Sequence, residues 1–210
     1  MSRSIGRIAF LLSGSGTTFL NLLERIESGE VQGEVVVAIA DRDGATGLDY
    51  ARERGIPVAV VNRKAYPGLD VFSHALEEAL RPYAPDLVVN GGFLSIYTVP
   101  ADNLGHWVNV HPSLLPAFGG KGFYGERVHR AVLARGCRYS GCTVHFVTDE
   151  VDGGPIIEQA VVEVLPDDTV ETLAARVQVA ERELYPTVIQ DLLLGRIRMR
   201  EGRVVRDSTS

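Results

Sequence analysis

Residues 7–18, Arg7-Ile-Ala-Phe-Leu-Leu-Ser-Gly-Ser-Gly-Thr-Thr18, join a short apolar run to a glycine-containing turn and then to an amphipathic segment. The apolar run predicts a buried strand that ends at Ser13. From Thr17 to Ser28 the apolar side chains recur at helical spacing, and Gly29 follows as a stop signal. A strand that passes through a tight turn into a helix is the first part of a βαβ unit, which implies a parallel sheet.

The same alternation continues along the chain. We predict further strands at 34–41, 56–61 and 86–91, with helices at 45–54 and 70–80 between them. The strands lack polar alternation, as expected when helices cover both faces of a sheet. Right-handed βαβ connections then give an α/β fold, a Rossmann-like open, mostly parallel twisted sheet with helices on both faces.

The pattern changes after Pro100. A glycine-rich loop is predicted from Pro116 to Gly125, and Tyr185-Pro186 is expected to kink or restart the last long helix. The other predicted elements of this half are a strand at 106–110, a helix at 126–134, strands at 139–147 and 154–164, the long helix from an N-cap at 168–169 to about Leu184, a terminal hairpin across 201–202 and a frayed tail at 207–210.

Composition narrows the class of protein. The chain has 210 residues, 45% apolar and 23% charged, which excludes a disordered, collagenous or coiled-coil protein. A formal charge of −6 disfavours general nucleic-acid binding, which depends on neutralising phosphates. No apolar run fits a membrane span, and the run at 8–12 is too short for a secretory signal, so we expect a cytoplasmic protein without nucleic-acid or membrane partners. Cys137 and Cys142 are expected as free thiols, and the histidines show no metal-ligand spacing.

The turn at 13–18 has the features of an anion site. Backbone N–H groups at a helix N-terminus attract anions, glycines let a ligand approach the backbone, and two threonines add hydroxyl donors. The turn lacks the lysine of a P-loop and has Phe19 where a dinucleotide motif needs glycine, although Asp41 follows the second strand as that motif requires. A phosphate monoester fits better than NAD or ATP, and a purely structural turn is the alternative.

Two other stretches carry side chains suited to acyl transfer. Asn109 and His111 alternate along a strand and therefore project to the same side at its C-terminal end, where an amide beside an imidazole can stabilise an oxyanion. The acidic turn at 149–152 can place a carboxylate beside His111, which favours the imidazolium. The alternatives are a satisfied structural pair and a solvated turn. His145 is either a hydrogen-bonded core histidine or a partner of this group.

Taken together, these stretches resemble the phosphoribosylglycinamide formyltransferase family, the folate-dependent enzymes of purine synthesis. The matching pieces, in family order, are Ser-Gly-x-Gly at 13–16, Gly-Gly-Phe-Leu at 91–94, Asn-Val-His-Pro-Ser-Leu-Leu-Pro at 109–116, Gly-Cys-Thr-Val-His-Phe-Val at 141–147, Asp-Gly-Gly-Pro-Ile-Ile at 152–157, and Arg176-Val-Gln178 with Glu181. The resemblance implies the formyltransferase fold, with Asn109, His111 and Asp152 as the catalytic trio. It implies that the amine of glycinamide ribonucleotide attacks the formyl carbon of 10-formyltetrahydrofolate, a co-substrate, with no metal involved.

The resemblance also implies two binding sites for small molecules. One domain, 1–210, is expected to have a phosphate-binding half at 1–100 and a catalytic and folate-binding half at 101–210. The residues implied for the ribonucleotide are Gly16, Thr17, Thr18, Arg63, Gly92, Pro112, Gln178 and Glu181. Those implied for the formyl folate are Phe93, Leu94, Ser95, Ile96, Tyr97, Thr148, Asp149, Glu150, Val151 and Gly153.

Some features differ from the family pattern or leave alternatives open. Ser95 stands where many relatives have arginine, and the loop at 118–125 is either a lid over the ribonucleotide or a surface loop. A relative that formylates tRNA would need an added RNA-binding domain, and a formyl-folate hydrolase an added N-terminal domain. A non-catalytic nucleotide-binding module would leave the catalytic trio without a purpose. We expect a monomer or a homodimer.

Overall fold

The central sheet of the computed structural model, which describes residues 5–207, has seven strands in the order β3-β2-β1-β4-β5-β6-β7. The strands are β1 (Gly6–Leu12), β2 (Gly33–Ala40), β3 (Val58–Val60), β4 (Leu87–Asn90), β5 (Trp107–His111), β6 (Tyr139–Phe146) and β7 (Ile156–Glu163). Strands β1 to β5 are mutually parallel, whereas β6 and β7 pair antiparallel at one edge. The predicted α/β fold with a mostly parallel sheet is confirmed.

Helices cover both faces of this sheet. They are α1 (Thr17–Glu27), α2 (Leu48–Glu53), α3 (Leu69–Leu80), α4 (Glu126–Arg135) and α5 (Val170–Leu193), with three short 3-10 helices at Arg63–Ala65, Arg81–Tyr83 and Ala101–Asn103 that the sequence did not predict. Successive side chains of β1 point to opposite faces. Phe10 and its alternate neighbours pack with α1 and α5, whereas Leu11 packs with α3. Both faces of the sheet are therefore buried, and the C-terminal ends of the parallel strands lie together at one end of it.

Helix α5 continues through Pro186, so the predicted end near Leu184 was wrong. Proline lacks an N–H group and leaves the carbonyl of the residue four positions earlier without its helical partner. That carbonyl belongs to Arg182, and it accepts a hydrogen bond of 2.9 Å from the side-chain amide of Asn21 in α1. A neighbouring helix thus satisfies the group that proline leaves free, and the helix does not need to stop.

Other predicted boundaries differ only locally. Strand β3 and helix α2 are shorter than expected, and the predicted terminal hairpin forms a separate two-stranded sheet from β8 (Ile197–Arg200) and β9 (Arg203–Arg206). Apart from Asp207, the predicted frayed tail lies outside the described residues, as do residues 1–4. Among the described helices, none combines the length and the apolar character that crossing a bilayer requires.

The turn between β1 and α1 depends on two glycines. Gly16 has a φ of 71°, in the left-handed region that favours glycine, and a Cβ added there would lie 2.7 Å from the Cα of Gly47. The N–H of Gly47 also donates to the carbonyl of Gly14 at 2.9 Å. The backbone after β1 is therefore pressed against the backbone that precedes α2, which fixes where the first turn of α1 begins.

Candidate active site

Strand β5 carries Asn109 and His111 to a point where they meet Asp152 from the loop between β6 and β7. Nδ1 of His111 lies 3.4 Å from Oδ2 of Asp152, and its Nε2 lies 2.9 Å from the backbone carbonyl of Phe118. The same Asp152 oxygen accepts a hydrogen bond of 2.9 Å from the N–H of Gly120. Both ring nitrogens of His111 therefore face oxygen acceptors, an arrangement that two N–H groups satisfy best.

His145 completes this group from β6, next to β5. Its Nδ1 lies 2.9 Å from the carbonyl of Phe146, and since a carbonyl can only accept, Nδ1 carries the hydrogen. Burial lowers the pKa of His145, so the ring is neutral and its Nε2 is an acceptor. The side-chain nitrogen of Asn109, 3.2 Å away, therefore donates to it. Of the two roles left open for His145, the structure favours a partner that orients Asn109.

Two cavities meet at this group. The larger has a volume of about 720 Å³ and the smaller about 110 Å³. Residues that line both are Phe93, Leu94, Ile96, Asn109, Val151 and Asp152. A molecule in one cavity can therefore approach a molecule in the other beside the amide of Asn109 and the carboxylate of Asp152.

Most residues predicted to bind the ribonucleotide surround the larger cavity. Those that line it are Thr18, Gly92, Pro112, Gln178 and Glu181. The hydroxyl of Thr18 donates to Glu181 at 2.6 Å, and burial raises the pKa of that carboxyl above its ordinary value. The side-chain amide of Gln178 donates a hydrogen bond of 3.4 Å to the hydroxyl of Thr17. This bond connects the N-terminus of α1 to the cavity wall.

Arg63 has a different position. Its guanidinium donates to the carbonyl of Tyr66 and lies 5.2 Å from the ring centroid of Phe72, and it does not line the larger cavity. Its backbone N–H donates to the carbonyl of Asp41 at 2.8 Å. The structure therefore places Arg63 at the C-terminal ends of β2 and β3 and does not bring its side chain to the other predicted residues.

The residues predicted to bind the formyl folate gather around the smaller cavity. Those that line it are Phe93, Leu94, Ser95, Ile96, Tyr97, Thr148, Asp149, Glu150 and Val151, whereas Gly153 does not. The buried ring of Tyr97 packs on Phe93 and Trp107, with centroids 5.6 and 5.0 Å away. Burial raises the pKa of its hydroxyl, which remains a neutral phenol. The walls thus combine apolar and aromatic residues of the segment at 93–97 with polar residues, among them those of the acidic turn.

Sequence reasoning missed several contributors to the site. The backbone groups of Phe118 and Gly120 hold the His111–Asp152 pair. The loop at 118–125 was not missed, since a lid and a surface loop were both left open for it, and its residues 120–125 line the larger cavity. His129 of α4 also lines it. It is 5% exposed, its Nδ1 has no hydrogen-bond partner among residues 5–207, and burial followed by the nearby His111 lowers its pKa. A single histidine in an amphipathic helix carries no distinctive sequence signal.

The acidic and histidine side chains of the site do not form a metal centre. Among residues 5–207, no group of three or more His, Cys, Asp or Glu side chains is arranged to hold a metal ion. The two cysteines are free, with Cys142 buried and the pKa of its thiol raised to about 12 by burial.

Comparison with known proteins identifies the class to which this fold and site belong. The family model described as formyl transferase matches residues 6–189, and the chain belongs to that family. Its relatives include the phosphoribosylglycinamide formyltransferase of Escherichia coli K12, which is 36% identical over 93% of this chain and 91% of that protein. The chloroplastic phosphoribosylglycinamide formyltransferase of Arabidopsis thaliana is 40% identical over 94% of this chain and 69% of its own length.

A solved structure supports the same family membership. The crystal structure of glycinamide ribonucleotide transformylase 1 from Symbiobacterium toebii superposes with a TM-score of 0.89 and is 40% identical. The match covers 98% of this chain and 95% of that one. The similarity therefore extends across both the parallel part of the sheet and the antiparallel edge that carries Asp152.

Proposed function

We propose that the protein transfers the formyl group of 10-formyltetrahydrofolate to the amine of glycinamide ribonucleotide, a step of purine biosynthesis. The observation that carries this proposal is the meeting of two cavities of unequal size at Asn109 and Asp152. A group-transfer enzyme without a covalent intermediate must bind donor and acceptor together, with the reacting atoms in contact. Family membership supports the formyl group as the one transferred.

The larger cavity would bind the ribonucleotide. Its phosphate would lie against the backbone N–H groups at the N-terminus of α1, where the helix dipole favours an anion. Gln178 and Glu181, which the resemblance assigns to the glycinamide and ribose, line the same cavity and contact Thr17 and Thr18 at its α1 end. Arg63 remains a predicted phosphate partner, although its guanidinium would first have to leave the Tyr66 carbonyl.

The smaller cavity would take the pterin ring of the folate. A flat aromatic ring fits walls of Phe93, Ile96 and Tyr97, which cover its faces. The polar edge of a pterin needs hydrogen-bond partners, and the backbone of the turn at 148–151 offers them on one side. The formyl group would then project from the ring towards Asn109 and the larger cavity.

The three side chains suit direct transfer. The amine nitrogen forms a bond to the formyl carbon, and the carbonyl electrons move onto oxygen. Asn109 donates to that oxyanion with the amide hydrogen that His145 does not use, and the Nε2–H of His111 donates beside it. For this, the oxyanion replaces the Phe118 carbonyl as the acceptor of His111.

The protons must then be moved between the two substrates. Asp152 supports the imidazolium of His111 and accepts a proton from the new ammonium, directly or through water. As the oxyanion re-forms the carbonyl and the bond between the formyl carbon and N10 of the folate breaks, the proton that Asp152 accepted passes to N10, directly or through water. The products are formylated ribonucleotide and tetrahydrofolate, and no covalent bond to the protein forms.

A single assay tests this function. Purified protein is mixed with glycinamide ribonucleotide and 10-formyltetrahydrofolate, and folate product is followed by absorbance while mass spectrometry identifies the formylated ribonucleotide. A parallel reaction without ribonucleotide measures hydrolysis. The proposal requires product formation that depends on the ribonucleotide. Folate release at the same rate without it would instead identify a hydrolase, and no release at all would refute both activities.

A further inference from the structure

Asp41, at the C-terminal end of β2, is a fully buried carboxylate that joins three segments of the chain. Its side chain has 0% exposure. Its Oδ1 accepts from Nε of Arg42 at 2.8 Å and its Oδ2 from Nη2 at 3.1 Å. The same Oδ2 accepts from the hydroxyl of Ser95 at 2.6 Å, and the hydroxyl of Ser13 adds a further hydrogen bond. The carboxylate therefore connects the ends of β1 and β2 to the segment after β4.

This carboxylate is charged despite its burial. Burial by itself would raise the pKa of Asp41, but hydrogen bonds from Arg42, Ser95 and Ser13 together outweigh it and lower the pKa below its ordinary value. Hydrogen bonds to an ionised acceptor are stronger than neutral ones. Ser95 is therefore held by a charge-assisted bond rather than by an ordinary surface contact.

The segment fastened in this way, residues 92–95, forms part of the wall of both cavities. Ser13 holds it at two more points, because its backbone N–H donates to the carbonyl of Gly92 at 3.1 Å and its hydroxyl accepts from the N–H of Leu94 at 2.8 Å. Phe93 and Leu94 line both cavities and Ser95 lines the smaller one. The position of this wall thus depends on Asp41 and on the residue that begins the anion-binding turn.

We propose that Asp41 is a positioning residue for the formyl-donor cavity, acting through Ser95 and Ser13 on residues 92–95. An acidic residue after the second strand contacts ribose in dinucleotide sites, a use that Phe19 in the preceding turn already disfavours. A fully enclosed carboxylate cannot reach a ribose. The proposal also gives a purpose to the hydroxyl of Ser95. It rests on the proposed function, because it names the smaller cavity as the donor site.

The first test removes one hydroxyl. Ser95→Ala should raise the KM for 10-formyltetrahydrofolate about three- to tenfold and change kcat and the KM for ribonucleotide less than about twofold, as loss of one charge-assisted bond predicts. Ser140→Ala is the matched control, since this buried serine has no hydrogen-bond partner among residues 5–207 and lines neither cavity. Unchanged donor KM in Ser95→Ala, or an equal rise for both substrates, would overturn the proposal.

The second test uses Asp41→Asn, which keeps the shape and removes the charge. We expect a higher KM for both substrates, because Ser13 also precedes the anion-binding turn. In the double variant with Ser95→Ala, the effect on the donor KM should be smaller than the product of the two single effects, since both remove the same bond. Independent, multiplying effects would contradict a shared role.

A binding measurement separates this proposal from the proposed function. Trp107 is the only tryptophan of the chain. Its ring centroid lies 5.0 Å from that of Tyr97, which lines the smaller cavity, so its fluorescence should report tetrahydrofolate binding. If the parent protein transfers no formyl group yet binds tetrahydrofolate, the ratio of dissociation constants for Ser95→Ala and parent still tests whether Ser95 positions the wall of the smaller cavity. A ratio of about three to ten supports the proposal. A ratio near one, or a parent that binds no folate, refutes it.

Discussion

Oδ2 of Asp152 lies 3.4 Å from Nδ1 of His111, and the two side chains are only 11% and 5% exposed. A carboxylate and an imidazole enclosed together stabilise each other when the ring is protonated, because little water screens their charges. The pair is therefore suited to supply a positively charged donor to a developing oxyanion and to receive the proton that the attacking amine loses.

We predict that His111→Asn lowers kcat by about a hundred- to ten-thousandfold, the usual contribution of a positioned acid or base. The affinity for ribonucleotide, measured by calorimetry, should stay within about threefold, because binding depends on other residues of the cavity. Asp152→Asn should act in the same direction, and the double variant should lose little more than either single one. Parental activity in His111→Asn would remove this residue from the mechanism.

Gly16→Ala should destabilise the protein by about 2–3 kcal/mol, since the added Cβ meets the Gly47 backbone and alanine is also strained at a positive φ. Gly29→Ala is the control. Gly29 has a φ of 83°, but a Cβ there meets no atom of the described residues within 4 Å. Denaturant unfolding of both variants separates backbone strain, about 1–2 kcal/mol in each, from the collision. Equal losses would show that the close approach to Gly47 is unimportant.

Asn21→Ala should cost about 1 kcal/mol, because it removes the partner of the Arg182 carbonyl. In a Pro186→Ala background the same change should cost less, since residue 186 then regains an N–H that can bond to that carbonyl. Urea unfolding of the four proteins in this cycle gives the interaction free energy directly. Additive losses would mean that the amide of Asn21 does not compensate for the proline.

Acid should destabilise the fold through two histidines. Burial is the first cause of the lowered pKa of both His129 and His145, so the folded protein keeps them neutral. The unfolded chain takes up these protons near the ordinary histidine pKa of about 6.5, and stability is therefore present above that pH and declines below it. Melting temperatures between about pH 7 and pH 5 measure the decline, which should be smaller in His129→Gln. An identical pH profile in that variant would contradict this account.

The sequence predicted the parallel sheet because each βα unit carries its own local signals. The run at 7–13 and the glycines after it are adjacent, and the alternation of Asn109 and His111 follows from strand geometry alone. The place of Asp152 was not derivable in this way. It lies in a different loop; the residues alone allowed a carboxylate of the turn at 149–152 beside His111, and only the resemblance to a family selected Asp152.

The missed features depend on backbone groups or on distant partners. Nothing in the residue types of Phe118 and Gly120 signals that a carbonyl and an N–H will bind the catalytic pair. The helix prediction failed at Pro186 for the same reason, because the amide that makes proline tolerable belongs to Asn21, 161 positions from Arg182. The periodic spacing of apolar residues cannot predict a hydrogen bond that forms only when two helices have packed.

The bond between Asn21 and Arg182 has a consequence for substrate choice. It joins α1, whose first turn would bind the phosphate, to α5, whose Gln178 and Glu181 line the same cavity. Neither helix can shift along the other without breaking this hydrogen bond. In the proposed complex, this bond helps to fix where the phosphate site on α1 lies relative to Gln178 and Glu181 on α5, and so which sugar phosphates the larger cavity can accept.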